Sequence, residues 1–153
     1  MTSEVEAKIR AVLNRMVEGW RQANPRLLQG AFDPEDPNIS LIVPENHVPL
    51  YGQAAINRYF DRIAANFPDV RVELKDLRMT QLGEFTHVFS DLLTFVIMPD
   101  YGSEPRIFQA KNFLVRARAT IVLRKRGEEW YVVHYHESVP WEPPTGAKWE
   151  QPV

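Results

Sequence analysis

The sequence predicts an α+β protein in which a curved antiparallel sheet packs against three N-terminal helices. Before Pro68, two long segments carry apolar residues at a spacing of about 3.6, which is the period of an amphipathic helix. After Pro68 apolar and polar residues alternate, which is the period of a half-buried strand. Because the helical segments come first and the strands follow in series, the helices are expected on one face of an antiparallel sheet.

The first helix is predicted to have Ser3 as its N-cap, because Ser3 and Glu6 have the spacing of a capping box. It is expected to end near Asn24, since Pro25 disfavours helical geometry in the residue before it. One face of this helix carries an apolar stripe suited to a core. The stripe comprises Val5, Ile9, Val12, Leu13, Met16, Val17 and Trp20.

Two more helices are predicted before the sheet. A short helix runs from Pro25 to Gly30, because proline suits the first helical position and glycine a helix end. Residues 33–38 contain two prolines and three acidic residues and form a loop, and residues 39–43 form a short strand rich in branched side chains. The third helix is predicted over residues 52–67 and closes at Pro68.

Strand patterns fill most of the remaining chain. A turn at residues 99–105 is predicted between two long strands, and the second of these is expected to bulge near Ala117. The predicted strands are residues 70–74, 84–98, 106–125 and 130–139. The chain therefore divides into one domain, residues 1–139, and a tail rich in proline and tryptophan, residues 140–153, which is expected to be irregular.

Composition excludes several classes of protein. A chain of 153 residues with a net charge of −2 has about the length of one domain and no basic excess for nucleic acid. The absence of cysteine excludes disulfides, thiolate metal sites and cysteine nucleophiles. No apolar run approaches the ~20 residues of a membrane span, and the acidic N-terminal segment does not resemble a secretory signal. We expect a cytoplasmic protein with no membrane partner and, since no cofactor motif is present, no cofactor.

The last predicted strand, residues 130–138, holds the densest polar cluster. Simple alternation places its two histidines on one face. That face comprises Trp130, Val132, His134, His136 and Ser138. A His-x-His pair can bind zinc if a third ligand such as His87, Asp91 or Glu84 lies nearby. Histidines satisfied by neighbours at a sheet edge are far more common, so no metal is expected.

Neighbouring strands carry further polar candidates. Arg118 and Thr120 lie on the strand expected to pair with the last one, and an arginine on a concave face is a receptor for a carboxylate or another anion. The alternative is an ion pair with Glu137 or Asp91. Asp91 interrupts an apolar strand and would be a proton-shuttle candidate if it faced inward, but a bulge would reverse its direction.

Aromatic side chains could line a pocket, although they most often form the core. The candidates are Trp20, Tyr51, Tyr59, Phe60, Phe67, Phe89 and Phe95.

Two stretches of the chain resemble one family. The segment YGQAAINRYF (residues 51–60) is similar to the G-x-x-A-I-x-x-Y-F stretch of SnoaL-like proteins. The segment RATIVLRKRGEEWYVVHYHES (residues 118–138) is similar to their R-x-T-x-V-x-R-K…G-x-W-x-V-V-H-x-H-x-S ending. The order of the elements up to about Pro140 also resembles the NTF2-like, cystatin-like cone fold. That superfamily includes ketosteroid isomerase, polyketide cyclases, scytalone dehydratase, limonene epoxide hydrolase and non-enzymatic association domains.

The resemblance implies a conical pocket between sheet and helices, and a homodimer. The isomerase base is an aspartate before the third helix, and the matching stretch here offers Glu45 and His47. The isomerase tyrosine of the first helix has no match, and Trp20 is the nearest large residue.

Two other members of the superfamily supply comparisons for the strands. The Asp–His pair of SnoaL-type cyclases could be imitated by Asp91 with His134 or His136. The chain ending also resembles the association domain of calcium/calmodulin-dependent kinase II, where an arginine follows the second histidine. Glu137 stands in that place here, which argues against anion binding of that type.

The first functional hypothesis is a protein that binds a small molecule, not yet identified, in an apolar pocket. If it is catalytic, the chemistry would be cofactor-free proton transfer of the isomerase, cyclase or dehydratase type, with Asp91 or Glu45 as base. A histidine, His136 above all, or a tyrosine would hold the developing oxyanion. The ligand is expected to contact Trp20, Tyr51, Tyr59, Phe60, Phe95, Arg118, Thr120, His134 and Glu137.

The second hypothesis is a non-enzymatic association module. Its cavity would be collapsed under Trp20 and Phe60. Under either hypothesis the outward sheet face, with Val133 and Tyr135 or their neighbours of opposite parity, is expected to be apolar and buried in a homodimer.

Overall fold

The computed structural model describes residues 1–97 and 112–140, and the predicted turn at 99–105 and the tail from 141 lie outside those residues. Three helices precede a long series of strands. The helices are α1 (Ser3–Arg21), α2 (Pro25–Gln29) and α3 (Gln53–Asn66). The strands are β1 (Ser40–Ile42), β2 (Leu50–Tyr51), β3 (Asp69–Leu82), β4 (Phe85–Ile97), β5 (Phe113–Arg126) and β6 (Glu129–Ser138). The predicted α+β order is confirmed, and the short strand β2 is an addition to it.

The six described strands form one sheet in the order β2-β1-β6-β5-β4-β3. Strands β3 to β6 pair as successive antiparallel neighbours, and β1 joins β6 in parallel. The three helices cover one face of this sheet, and we call that face the concave face and the opposite one the outer face. The core lies between them and includes Ile9, Leu13, Phe32, Phe60, Ile121 and Val132, each at most 1% exposed.

Helix α1 begins one residue earlier than the capping box predicted. The N-cap is Thr2, whose side-chain oxygen accepts a hydrogen bond from the Val5 amide at 3.3 Å, and Ser3 is already helical. At the other end of this helix, Gly19 allows α2 to approach closely. A Cβ on Gly19 would lie 2.9 Å from Leu28 Cγ, so only glycine fits this contact without a shift.

Two register shifts bend the sheet, and neither lies at Ala117. Strand β5 pairs with β4 without interruption from Phe113 to Arg124, so the bulge predicted near Ala117 is wrong. One shift lies in β3, where Asp76 and Leu77 together oppose a single residue of β4. The other lies in β6, where the partners of two adjacent β5 residues are separated by Val133.

The bulge at Val133 reverses the alternation of β6. Leu123 pairs with Val132, whereas Val122 pairs with His134, so Val133 has no cross-strand partner of its own. One extra residue moves every later side chain to the opposite face. Tyr135 therefore follows Val132 onto the concave face, and His134 faces outward.

Candidate functional site

A cavity of about 410 Å3 opens between the helices and the concave face of the sheet. Its walls are mainly apolar and come from α1, α3 and strands β1, β3, β4, β5 and β6. The described lining residues are Met16, Trp20, Leu41, Val43, Pro44, Glu45, Tyr59, Phe60, Ile63, Phe67, Val70, Val72, Leu92, Thr94, Val96, Val115, Tyr135, Glu137 and Val139. Pro44, Glu45 and Val139 are exposed, so the cavity reaches the surface there.

The apolar end of the cavity is built on aromatic edge contacts. The rings of Trp20 and Phe60 meet edge to face with centroids 5.7 Å apart, and Tyr59 and Phe60 meet in the same way at 5.1 Å. Such pairs add about 0.5–1.5 kcal/mol each beyond the area that they bury. Phe60 is 1% exposed and packs on Phe32 as well, so this wall is anchored in the core.

The polar end holds two carboxyl–tyrosine pairs. Glu45 follows β1 in the loop after Pro44, and its Oε1 accepts a short hydrogen bond from the Tyr59 hydroxyl of α3. Glu137 and Tyr135 are neighbours on the concave face of β6, and the Tyr135 hydroxyl donates to Glu137 Oε2 at 3.1 Å. The bulge at Val133 explains why the second pair faces the cavity.

Burial and the repulsion between neighbouring acidic groups raise the pKa values of Glu137, Tyr59 and Tyr135. Burial, together with the charge of Glu45, raises the pKa of Glu137 from 4.5 to about 7, while the hydrogen bond from Tyr135 opposes the rise. Burial also raises the pKa of Tyr59, to which Glu45 adds, and that of Tyr135, to which Glu137 adds. Both tyrosines are thus held as neutral hydrogen-bond donors, and Glu137 is close to half protonated at neutral pH.

A carboxyl group with a pKa near the working pH suits either direction of proton transfer. Tyrosine hydroxyls that stay protonated can donate to a ligand oxygen, including one on which negative charge develops. The arrangement can therefore bind an apolar molecule by its walls and exchange a proton with it at one end.

Five residues predicted for the site from the sequence line this cavity. They are Glu45 as a candidate base and Trp20, Tyr59, Phe60 and Glu137 as ligand contacts. Tyr135 joins them, although the sequence named Tyr135, or its neighbours of opposite parity, for the outward face. Alternation alone left the face of β6 open, and a bulge signal in the sequence would have been needed to assign it.

The other predicted site residues lie away from the cavity. Asp91 is exposed on the outer face, opposite Arg118 in the register of β4 and β5, so it does not meet the condition of an inward direction on which its role as a proton shuttle depended. Arg118 is exposed as well, and Thr120 points to the same outer face. Tyr51 and Phe95 are 66% and 39% exposed and do not line the cavity.

The histidine pair also lies outside the cavity, because the bulge at Val133 turns it outward. His134 Nδ1 lies 2.7 Å from the Ser40 hydroxyl oxygen, and the rings of His134 and His136 meet at 6.2 Å. Burial and the neighbouring His136 lower the pKa of His134. His136 is exposed and is not placed to hold an oxyanion in the cavity. Within residues 1–97 and 112–140, no group of three metal-ligating side chains comes together.

None of the described helices combines the length and the apolar character needed to cross a membrane.

The helices, the bent sheet and the cavity between them define a cone of the NTF2-like, cystatin-like class. A sequence model described as a SnoaL-like domain matches residues 9–142, and the chain belongs to that family. A comparison with curated proteins finds no match.

Solved structures share the fold at low sequence identity. An NTF2-like superfamily protein from Salmonella enterica aligns with a TM-score of 0.77 and 21% identity over 97% of this chain and 100% of its own. A candidate dehydratase of the NTF2-like family from Streptomyces avermitilis aligns with a TM-score of 0.75 and 17% identity, over 92% of this chain and 100% of its own. A protein with a cystatin-like fold from Caulobacter vibrioides aligns with a TM-score of 0.69 and 16% identity, over 90% and 91%. These likenesses establish the fold, and the predicted NTF2-like, cystatin-like architecture is confirmed.

Proposed function

We propose that the protein binds a small, mainly apolar molecule in the cavity and catalyses cofactor-free proton transfer on it. The observation that carries the proposal is an open apolar cavity of about 410 Å3 with Glu45 and Glu137 at one end. Ligand sites in proteins combine such volumes and apolar walls with a few polar groups. A carboxyl group of perturbed pKa in a cleft is a further mark of a functional site.

In this proposal Glu137 exchanges the proton. A carbonyl compound would place its α-carbon near Glu137, which takes the proton and returns it at another position, as in an isomerisation. Tyr135 or Tyr59 would turn its single O–H from the carboxyl oxygen that now accepts it to the enolate oxygen. Glu45 is the second carboxyl candidate for the base, and it ranks second because it is exposed at the mouth of the cavity, whereas Glu137 is partly buried. A dehydration would use the same groups, with protonated Glu137 donating to the leaving hydroxyl.

Hydrogen–deuterium exchange tests this step without knowledge of the natural substrate. The protein is mixed with 1-tetralone, a bicyclic ketone, in D2O, and deuterium at its α-carbon is followed by NMR. We expect wild-type protein to accelerate exchange, and Glu137→Gln to lower that acceleration by about 10²–10⁴-fold, the usual contribution of a general base. Glu45→Gln should have the smaller effect.

Asp91→Asn is the matched control, because Asp91 is an exposed carboxyl group on the outer face. We expect it to leave the exchange rate unchanged. Loss of exchange in Asp91→Asn, with full activity in Glu137→Gln and Glu45→Gln, would move the chemistry to the other face of the sheet. No acceleration by the wild type, although the ketone shifts NMR signals of cavity residues, would leave a binding protein without catalysis.

The association-module hypothesis is less well supported, because the space under Trp20 and Phe60 is open rather than collapsed.

An enzyme of this fold can also form a homodimer. Phe95 and Leu114 face each other in the register of β4 and β5 and are 39% and 50% exposed on the outer face. We propose that a second copy of the chain covers this pair, since exposed apolar pairs on a sheet mark contact surfaces.

Light scattering at micromolar concentration tests the dimer. Wild-type protein should have the mass of two chains, and Leu114→Glu should have that of one. Leu82→Glu is the control, since Leu82 is 66% exposed at the far end of β3. A monomeric wild type would refute the dimer and leave the cavity proposal intact.

A further inference from the structure

The polar end of the cavity carries two carboxyl groups, and no described lining residue brings a positive charge to balance them. Both Glu45 and Glu137 line it, and none of the described lining residues is a lysine, an arginine or a histidine. Neither carboxyl group takes part in an ion pair with any residue among 1–97 and 112–140. Glu45 lies at the exposed mouth of the cavity, whereas Glu137 is partly buried, and partly buried carboxyl groups are usually paired.

Arg62, a cation next to Tyr59, does not neutralise them. Arg62 on α3 lies with its guanidinium carbon 6.0 Å from the centre of the Tyr59 ring, and its Nη2 donates to Asn46 Oδ1 at 3.4 Å. Arg62 is exposed to solvent, so it sits outside the cavity wall. The elements α1, β3, β4 and β5 contribute only uncharged residues to the lining.

The two carboxyl groups at the polar end of the cavity also have oxygen atoms that accept no hydrogen bond from the described residues. Tyr135 supplies the one hydrogen bond that Glu137 receives from the described residues, and it reaches Oε2. Glu137 Oε1 accepts no hydrogen bond from the described residues, and Glu137 lines the cavity. Tyr59 likewise binds one oxygen of Glu45. Acceptors therefore outnumber donors here, which suits a ligand that brings donors of its own.

The rest of the cavity suits an apolar body with aromatic character. Trp20, Phe60 and Phe67 line the wall together with aliphatic residues of the sheet. Aromatic faces attract cations as well as apolar groups. An anionic ligand would find two like charges and no described counter-charge in the lining, which costs binding free energy.

We propose that the cavity selects an apolar molecule that carries a protonated amine, with the ammonium group placed between Glu45 and Glu137. This inference rests on the proposed function, because it names the ligand class of the same cavity. An ammonium group supplies three donors and one positive charge. It would use the free oxygen of Glu137 and neutralise the repulsion between the two carboxyl groups.

The proposal predicts that amine binding depends on pH in a defined direction. The ammonium pairs with ionised Glu137, and the pKa of that group in the free protein is about 7. Since protonation competes with the ligand, affinity should rise about tenfold between pH 6 and pH 8. Tyr59 and Tyr135 stay protonated throughout this range, because burial raises their pKa values further above it, so they add no pH dependence.

Three ligands with one ring system test the ligand class: 1-naphthylmethylamine, 1-naphthalenemethanol and 1-naphthoate, which are a cation, a neutral molecule and an anion. Calorimetric titration at pH 8 should give an amine affinity about tenfold or more above that of the alcohol, as expected for a hydrogen-bonded charge pair. The naphthoate should bind more weakly than the alcohol. At pH 7, amine binding should release about half a proton, which titrations in two buffers of different ionisation enthalpy measure.

Glu137→Gln and Glu45→Gln should each lower the affinity for the amine and leave that for the alcohol within about twofold, since only the cation gains from the charge. Glu137→Gln should also abolish the pH dependence. The control is Glu129→Gln, an exposed residue of the same strand outside the cavity, which should change nothing.

The outcomes separate the two proposals. Alcohol affinity equal to or above that of the amine, or naphthoate affinity as strong as that of the amine, would refute the ligand class while the binding site stands. Failure of all three ligands to bind would refute the ligand class and the proposed binding function together. Amine binding that is unaffected by both Gln substitutions would place the cation elsewhere and overturn the inference.

Discussion

Glu137 should make the folded protein less stable as pH rises, which is the reverse of the behaviour of most acidic residues. Its pKa is about 7 in the folded state against an ordinary value of 4.5. Between these values the folded protein binds more protons than the unfolded chain. Stability therefore falls as pH rises through this window, because the free energy of unfolding decreases with pH wherever the native state holds the extra proton.

The size of this effect follows from the two pKa values. A shift of about 2.5 units corresponds to about 3.4 kcal/mol when the whole window is crossed. Between pH 5 and pH 8, the part of the window that a denaturation experiment covers well, the linkage relation gives about 2.5 kcal/mol. This is a large share of the ~5–15 kcal/mol that stabilises a typical domain.

Urea denaturation of wild type and Glu137→Gln at pH 5 and pH 8 measures the effect. Other titrating groups, including His134, are present in both proteins, so they cancel in the difference between the two pH profiles. Relative to wild type, Glu137→Gln should gain about 2.5 kcal/mol on going from pH 5 to pH 8, whatever the cost of burying the amide itself. Parallel profiles would show that Glu137 has an ordinary pKa, and the argument for its role in proton transfer would lose its basis.

Three further substitutions test packing and ion-pair contacts in the helices and the sheet, each by urea denaturation. Gly19→Ala should destabilise by about 1–2 kcal/mol, because the new Cβ would lie 2.9 Å from Leu28 Cγ and the strain outweighs the better helix propensity. Arg126→Met should destabilise the protein, because it removes from Asp33, which is 0% exposed, the guanidinium partner that lies 2.6 Å away. Phe60→Ala should cost about 3–5 kcal/mol by enlarging the cavity next to Trp20 and Tyr59. An unchanged midpoint in any of the three would contradict the contact concerned.

Periodicity predicted the architecture because the elements are long and strongly patterned. Residues 5–20 and 52–67 have clear helical stripes, and Pro25 and Pro68 mark helix ends through local geometry that holds in any tertiary context. Strand β2 has only two residues and was missed, since its position depends on pairing with β1 rather than on a pattern of its own.

The candidate site was only partly predictable, for one identifiable reason. Strand alternation assigns faces correctly only while the register is unbroken, and Val133 breaks it within the segment that carries most of the chemistry. The sequence around Val133 has no glycine or proline to signal a bulge. The sequence therefore named His134 and Glu137 alike as ligand contacts and left open which face of β6 lines the pocket. Glu45 was found through the family resemblance, and its partner Tyr59 had only its aromatic character to indicate a role.

The bulge at Val133 and the raised pKa of Glu137 together indicate why the cavity has a polar end. Without the extra residue at Val133, the histidines would enter the cavity and Glu137 would face outward, where water would hold its pKa near the ordinary value. The register shift instead buries a carboxyl group that no described cation neutralises, at a cost of about 2.5 kcal/mol between pH 5 and pH 8. An apolar side chain at 137 would avoid that cost and would match the apolar walls of the cavity. A bound cation, or a proton taken from a substrate, would offset this loss of stability. The carboxyl group at 137 is therefore better explained by a role in ligand binding than by a role in stabilising the fold.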